Sequence, residues 1–336
     1  MPVMLNRWSI PGLLSLFLMG ACGNTPGSAS VSPLDTNPAF AGINDSIRVD
    51  PKNPTLYLRR AARLAMANEY GLAYPDFKKA WSLQPGLETV IPFAASLQVL
   101  GRHAERLELL KTAESRFPDN PQLQRLLADA YTSAGDTGSA LRQYAQILNR
   151  DSADFETWYE QGLLQEQLGD TLAALNSLQR AYSLKAVDDY GLELAHLYAE
   201  QKNPKSLEIC NAILDRDSAD QLIDPLFIKG IYYSNTKQYP KAFAQFDSCI
   251  RRDWKTTDAY IEKGIAYFRM QDYSSAQHTF TMATTVSNTD ADAYFWLGRC
   301  AEAKNQKDDA MRYYREALAL DKTLVEAKER MERLSR

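Results

Sequence analysis

Apolar residues in this chain recur three and four positions apart over nearly all of its length beyond residue 54, the spacing of one face of an α-helix. Turn residues such as Gly101, Gly135-Asp136, Gly169-Asp170 and Gln271-Asp272 cut that pattern into helix-length halves. The halves repeat. Ala61, Ala94, Ala128, Gly162, Ala195, Gly230, Gly264 and Gly298 form one column of small residues, at intervals of 33, 34, 34, 33, 35, 34 and 34. About sixteen positions on, a second column is apolar throughout: Phe77, Leu110, Tyr144, Leu178, Cys210, Phe246, Phe280 and Tyr314. Each repeat therefore reads as helix, tight turn, helix. Two antiparallel helices approach closely only where one lacks bulk, so a Gly or Ala marks the crossing and a large side chain of the partner fills it. One such pair cannot cover its own apolar face, and stacking on neighbours does so.

Local signals agree with these boundaries. Pro85 and Pro118 fall just past second helices, where a helix must stop. Asp154, Asp220 and Asp290 precede first helices, where a carboxylate accepts the free N–H groups. Departures are also visible. Arg106 stands where the second repeat should carry a small residue, and Ile147 and Ile213 replace Ala in the third and fifth. Pro75 lies inside the second helix of the first repeat and should kink or shorten it. Residues 38–53 read as a degenerate capping helix, and residues 325–336 as an amphipathic C-terminal capping helix with one wet face.

In these columns the segment 54–324 closely resembles the tetratricopeptide repeat family. The resemblance implies an all-α, right-handed α-solenoid of about eight helix-turn-helix repeats, starting near 54, 87, 121, 155, 188, 223, 257 and 291. It also implies a concave groove lined by the fifth and ninth positions of each repeat. Those positions hold Leu58/Ala62, Ile91/Ala95, Arg125/Asp129, Tyr159/Leu163, Leu192/His196, Phe227/Ile231, Ile261/Ile265 and Phe295/Arg299. With Phe268, the residues Phe227, Ile231, Ile261, Ile265 and Phe295 make a contiguous apolar patch, and Tyr159 and Arg299 join the expected partner-binding set. The bland alternative is that these side chains thicken the core between first helices. The Lys and Asn clamp by which some relatives hold a terminal carboxylate is absent from these positions.

The first 22 residues add an address. Arg7 precedes an apolar run from Ile10 to Met19, with Gly20 and Ala21 before Cys22, the layout of a cleaved export signal over residues 1–21. The run is about half the roughly 20 residues needed to span a bilayer. Leu18-Met19-Gly20-Ala21-Cys22 resembles the lipobox of bacterial lipoproteins, which implies lipidation at Cys22. Residues 22–37, rich in Gly, Ser, Pro and Thr, read as a flexible tether. Gly23 follows the cysteine where an Asp would imply inner-membrane retention, so the resemblance favours the outer membrane with the body facing the periplasm.

Composition narrows the rest. With 38 Lys+Arg against 42 Asp+Glu the net charge is −4, which disfavours a general nucleic-acid binder. His103, His196 and His278 are isolated, and no metal-ligand spacing or cofactor motif occurs. Cys210, Cys249 and Cys300 contain no CxxC; Cys210 and Cys249 read as packing thiols, with one bridge among the three left open. No nucleophile elbow, phosphate loop or HExxH is present, so an enzyme is not expected. The expectation is a non-catalytic adaptor that binds cell-envelope proteins through its groove. The alternative is an accessory subunit that holds glycan or another substrate for an envelope enzyme or export machine.

Overall fold

The computed structural model of the protein describes Leu34 and residues 37–335. The expected signal segment, Cys22 and most of the tether lie outside the described residues. Among the described residues there are eighteen α-helices and no strand. The chain divides into two compact units, one ending at Pro85 and the other running from Gly86.

In the first unit, a single 3-10 turn at Pro38–Phe40 leads into α1 (Ala41–Val49), α2 (Pro54–Met66) and α3 (Tyr70–Leu83). Asn53 starts α2 by accepting the Thr55 N–H at 3.1 Å, with Pro54 at the first helical position. Arg60 ties the three helices together. It donates to both Asp76 oxygens of α3 at 2.6 and 2.7 Å and to Asn44 Oδ1 of α1 at 2.7 Å. The expected shortening at Pro75 does not occur, because α3 runs fourteen residues. A proline at the sixth position removes a single backbone hydrogen bond, and packing on α2 holds the rest of the helix. Pro92 sits equally early in α4.

The second unit holds seven further helix pairs. The first helices are α4 (Leu87–Val99), α6 (Pro121–Ser133), α8 (Phe155–Gln167), α10 (Asp188–Glu200), α12 (Asp224–Asn235), α14 (Thr257–Arg269) and α16 (Ala291–Ala303). Their partners are α5 (His103–Glu114), α7 (Thr137–Arg150), α9 (Thr171–Leu184), α11 (Lys205–Leu214), α13 (Tyr239–Arg252), α15 (Tyr273–Val286) and α17 (Lys307–Leu320). The last helix, α18 (Val325–Ser335), packs on α17.

Both sequence columns meet inside each pair. Every residue of the apolar column is buried, Tyr144 at 4% exposure being the least so. A β-carbon on Gly264 would sit 2.5 Å from the Phe280 ring, and one on Gly298 2.5 Å from the Tyr314 ring. Glycine is required there by contact, not by conformation. Conformation matters seven residues later, where every repeat turns through a left-handed residue: Asn68, Gly101, Gly135, Gly169, Lys202, Lys237, Gln271 and Asn305. Sequence reading finds the glycines and Gln271 but not the lysines, which accept the strained backbone because the two flanking helices fix it.

Two local expectations need correction. Asp154 and Asp290 do cap first helices, accepting from Thr157 at 2.9 Å and Ala293 at 3.0 Å. Asp220 does not. Its carboxylate pairs with Arg252, it adopts a φ of 52°, and α12 starts four residues later without a side-chain cap. In the fifth repeat, Cys210 lies fifteen rather than sixteen positions after Ala195, because α11 is a ten-residue helix whose buried face is Ser206, Cys210 and Ile213.

Gly264→Ala should force the Phe280 ring aside and destabilise the fold by roughly 1–3 kcal/mol, read as a fall in melting temperature by circular dichroism. An unchanged melting temperature would refute the contact.

Candidate binding groove

The apolar patch expected at the C-terminal repeats is not exposed. Ile231, Ile261 and Phe295 are each 7% exposed and Ile265 is 1% exposed. The reason is geometric. Consecutive first helices lie side by side, α12 with α14 and α14 with α16, and fifth- and ninth-position side chains fall into the seam. Ile261 and Ile265 share one cluster with Ala293 and Leu297 of α16, while Phe295 is covered by Tyr314 and by Ala327 of α18. Phe227 and Phe268 remain half-buried. Phe268 stands edge-on to Trp296 at 5.4 Å, with the Arg299 guanidinium 5.3 Å from each of the two rings. Arg299 also pairs with Glu326 of α18 at 3.1 Å, so it clasps the terminal helix to α16. Tyr159 stacks on Tyr190 at 4.2 Å, bridging α8 and α10. These residues hold neighbouring repeats together.

A concave site exists elsewhere in the same unit, over the second to fourth repeats. A cavity of about 470 Å³ opens between α4, α5, α6 and α8. Arg125, Asp129 and Leu163, three of the groove positions implied by the repeat pattern, line it. The exposed amides of Gln98, Gln122 and Gln167 stand around them. At its floor is Arg106, the residue that broke the small-residue column.

In the other seven repeats the Arg106 position of the second helix holds Ala73, Ala140, Ala174, Ser206, Ala242, Ala276 or Ala310, all fully buried. Arg106 is 1% exposed. Its Nη1 reaches within 2.7 Å of Asp129 Oδ2 on α6, but out of line for a hydrogen bond, and its Nε and Nη2 meet no acceptor among the described residues. A buried polar group without a partner costs about 1–3 kcal/mol. Arg125 is satisfied by contrast: it donates to Asp154 at 2.9 Å and Glu156 at 2.7 Å, both at the start of α8. Glu160 faces the cavity 4.0 Å from Arg125, and burial pushes its carboxyl up to about 7 against the pull of that guanidinium. Sequence reading flagged Arg106 only as a packing defect. Its placement between α5 and α6 depends on the three-dimensional crossing, which no linear spacing encodes.

Other candidate chemistry is dispersed. His103 and His278 are exposed and His196 half-buried, and no metal-holding cluster exists among the described residues. Cys210, Cys249 and Cys300 are buried and free, each thiol pushed up to about 12 by burial. Glu262 on α14 is 9% exposed and has no hydrogen bond or ion pair among the described residues. Burial, with Asp258, Glu200 and Asp292 nearby, pushes its carboxyl up to about 7, opposed by Arg269.

A carboxyl raised from its ordinary value to about 7 favours the folded state below its unfolded value and loses that contribution as pH rises to 7. The melting temperature should therefore fall between about pH 5 and 7.5, and Glu262→Gln should flatten that fall. An identical slope in the variant would contradict the burial of an unpaired carboxyl.

The tetratricopeptide repeat family matches this chain at residues 100–160, 155–188 and 261–324. The Hsp70-Hsp90 organizing protein of Triticum aestivum is 22% identical over 216 residues, 62% of this chain and 36% of the relative. The chain thus spans about a third of that relative's length. Among solved structures, a tetratricopeptide repeat protein from Parabacteroides merdae superposes with a TM-score of 0.53 at 16% identity, over 84% of this chain and 99% of that one. PilW, a type IV pilus biogenesis factor, superposes with a TM-score of 0.51 at 17% identity, over 59% of this chain and 92% of that one. Paired helices on a 34-residue period, small residues facing large ones at each crossing, and these matches together identify the chain as a tetratricopeptide repeat protein.

Proposed function

We propose that this chain is a non-catalytic protein-interaction scaffold that holds a segment of a partner protein in the cavity of the second to fourth repeats. One observation carries the reading: the cavity of about 470 Å³ has Arg125, Asp129, Leu163 and three exposed glutamines around it, and at its floor a buried arginine whose guanidinium makes no hydrogen bond. A relative over 62% of the chain is named as an organizing protein for Hsp70 and Hsp90, which supports a scaffold role. The lining favours peptide over glycan. Three glutamine amides suit backbone N–H and C=O groups, whereas the aromatic of the lining, Tyr144, is 4% exposed and offers sugars no stacking face.

The address is part of the proposal. The export signal and the lipobox-like Leu18–Cys22 support a lipid-anchored protein of a bacterial outer membrane, facing the periplasm and serving envelope partners. No helix among the described residues is long and apolar enough to cross a membrane.

A photo-crosslinking residue at Gln122, on the exposed rim of the cavity, should yield discrete partner adducts in intact cells. The same residue at Leu172, exposed on α9, should yield none. Equal adducts at both positions, or none at Gln122, would contradict the groove. Cys22→Ser should move the protein from the membrane fraction to the soluble fraction, and retention in membranes would contradict lipid anchoring.

A further inference from the structure

We infer that Arg106 is the anchor of a carboxylate-recognition site, so that the segment held in the cavity presents an acidic group to it. The inference rests on the groove reading above and names the chemistry of its ligand. Arg106 is buried and lines the cavity, and three of its nitrogens make no hydrogen bond. A guanidinium is a rigid fork of donors that matches the two oxygens of one carboxylate. Asp129 is its ion-pair neighbour at 2.7 Å but lies out of hydrogen-bonding line, and its side chain is 48% exposed, so the donor fork of Arg106 is left unmatched. The neighbouring cation, Arg125, is already engaged by Asp154 and Glu156 and is not competing for the ligand. Across the cavity, burial pushes the Glu160 carboxyl up to about 7, which lessens its repulsion of an incoming negative charge. Gln98 and Gln122 at the rim complete the set, with amides for the main chain on either side of the acidic group. Helix packing does not call for this residue, since Ala or Ser serves at the same place in seven repeats.

The carboxylate belongs to an aspartate or glutamate side chain or to a chain terminus, and the test separates the two. The full chain, labelled with ¹⁵N at arginine, is titrated with N-acetylglycine for a terminal carboxylate and N-acetylisoglutamine for a side-chain carboxylate. N-acetylglycinamide serves as the uncharged control and inorganic phosphate as a general anion. The Nε–Hε signal that disappears in Arg106→Ala identifies the reporter, and that variant restores the residue type common to the column. Either carboxylate should shift this signal saturably, at least tenfold more tightly than the amide or phosphate, and the tighter of the two identifies the source. Arg106→Lys, which keeps the charge without the fork, should bind at least tenfold more weakly, read in the variant from the Nε–Hε signal of Arg125 in the same cavity. No shift with any carboxylate, equal binding of the amide or phosphate, or undiminished affinity in Arg106→Lys would overturn the proposal. If carboxylates fail while Gln122 still crosslinks its partner, the groove stands and the acidic ligand falls; if both fail, both fall.

Discussion

The structure depends on one close contact, clearest in the four helix pairs that carry glycine at the crossing: a small residue on the first helix lets a large side chain of the second lie against its backbone. At Gly264 the approach is so near that a β-carbon would be 2.5 Å from the Phe280 ring, and Gly298 faces Tyr314 in the same way. The contact sets the separation of the two helices, and a left-handed residue seven positions later sets the turn between them. Within the unit from Gly86 onward, repeating both on a period of about 34 residues gives successive pairs the same apolar edge, which the next pair covers. Nearest-neighbour packing follows from this geometry, and so does the fate of the fifth- and ninth-position side chains.

Those side chains mark the limit of what sequence pattern reveals. The paired helices, their starting points and their crossings are legible because they depend on local periodicity and on residue size at fixed spacing. Exposure is not local. Ile261 and Ile265 have the same position in their repeat as Arg125 and Asp129 have in theirs, yet the first two vanish into a seam with α16 while the others line an open cavity. Which outcome occurs depends on the side chains that the neighbouring helix presents, and a single-repeat register does not contain them. Asp220 shows the same limit at a helix start: its carboxylate is taken by Arg252, thirty-two residues away, rather than by the helix that follows it.

Arg106 is the informative breach of the rule. A pattern that places Ala or Ser at this depth seven times and arginine once carries the arginine at a stability cost, because a buried guanidinium with unmatched donors is worse than the methyl it displaces. Arg60 makes the comparison within this chain. It is also largely buried, but Asp76 takes its Nε and Nη2 and Asn44 its Nη1, and it serves to join α1, α2 and α3. Arg106 has an ion-pair neighbour without hydrogen bonds and a cavity in front of it. One arginine is built into the fold; the other is presented by it.

Thermal unfolding of Arg106→Ala beside the unsubstituted chain tests this distinction most directly. If the arginine is maintained for a ligand, the variant melts at the same temperature or higher, as the small-residue column is completed. A clear fall in melting temperature would make Arg106 a structural ion pair and leave the cavity without its anchor.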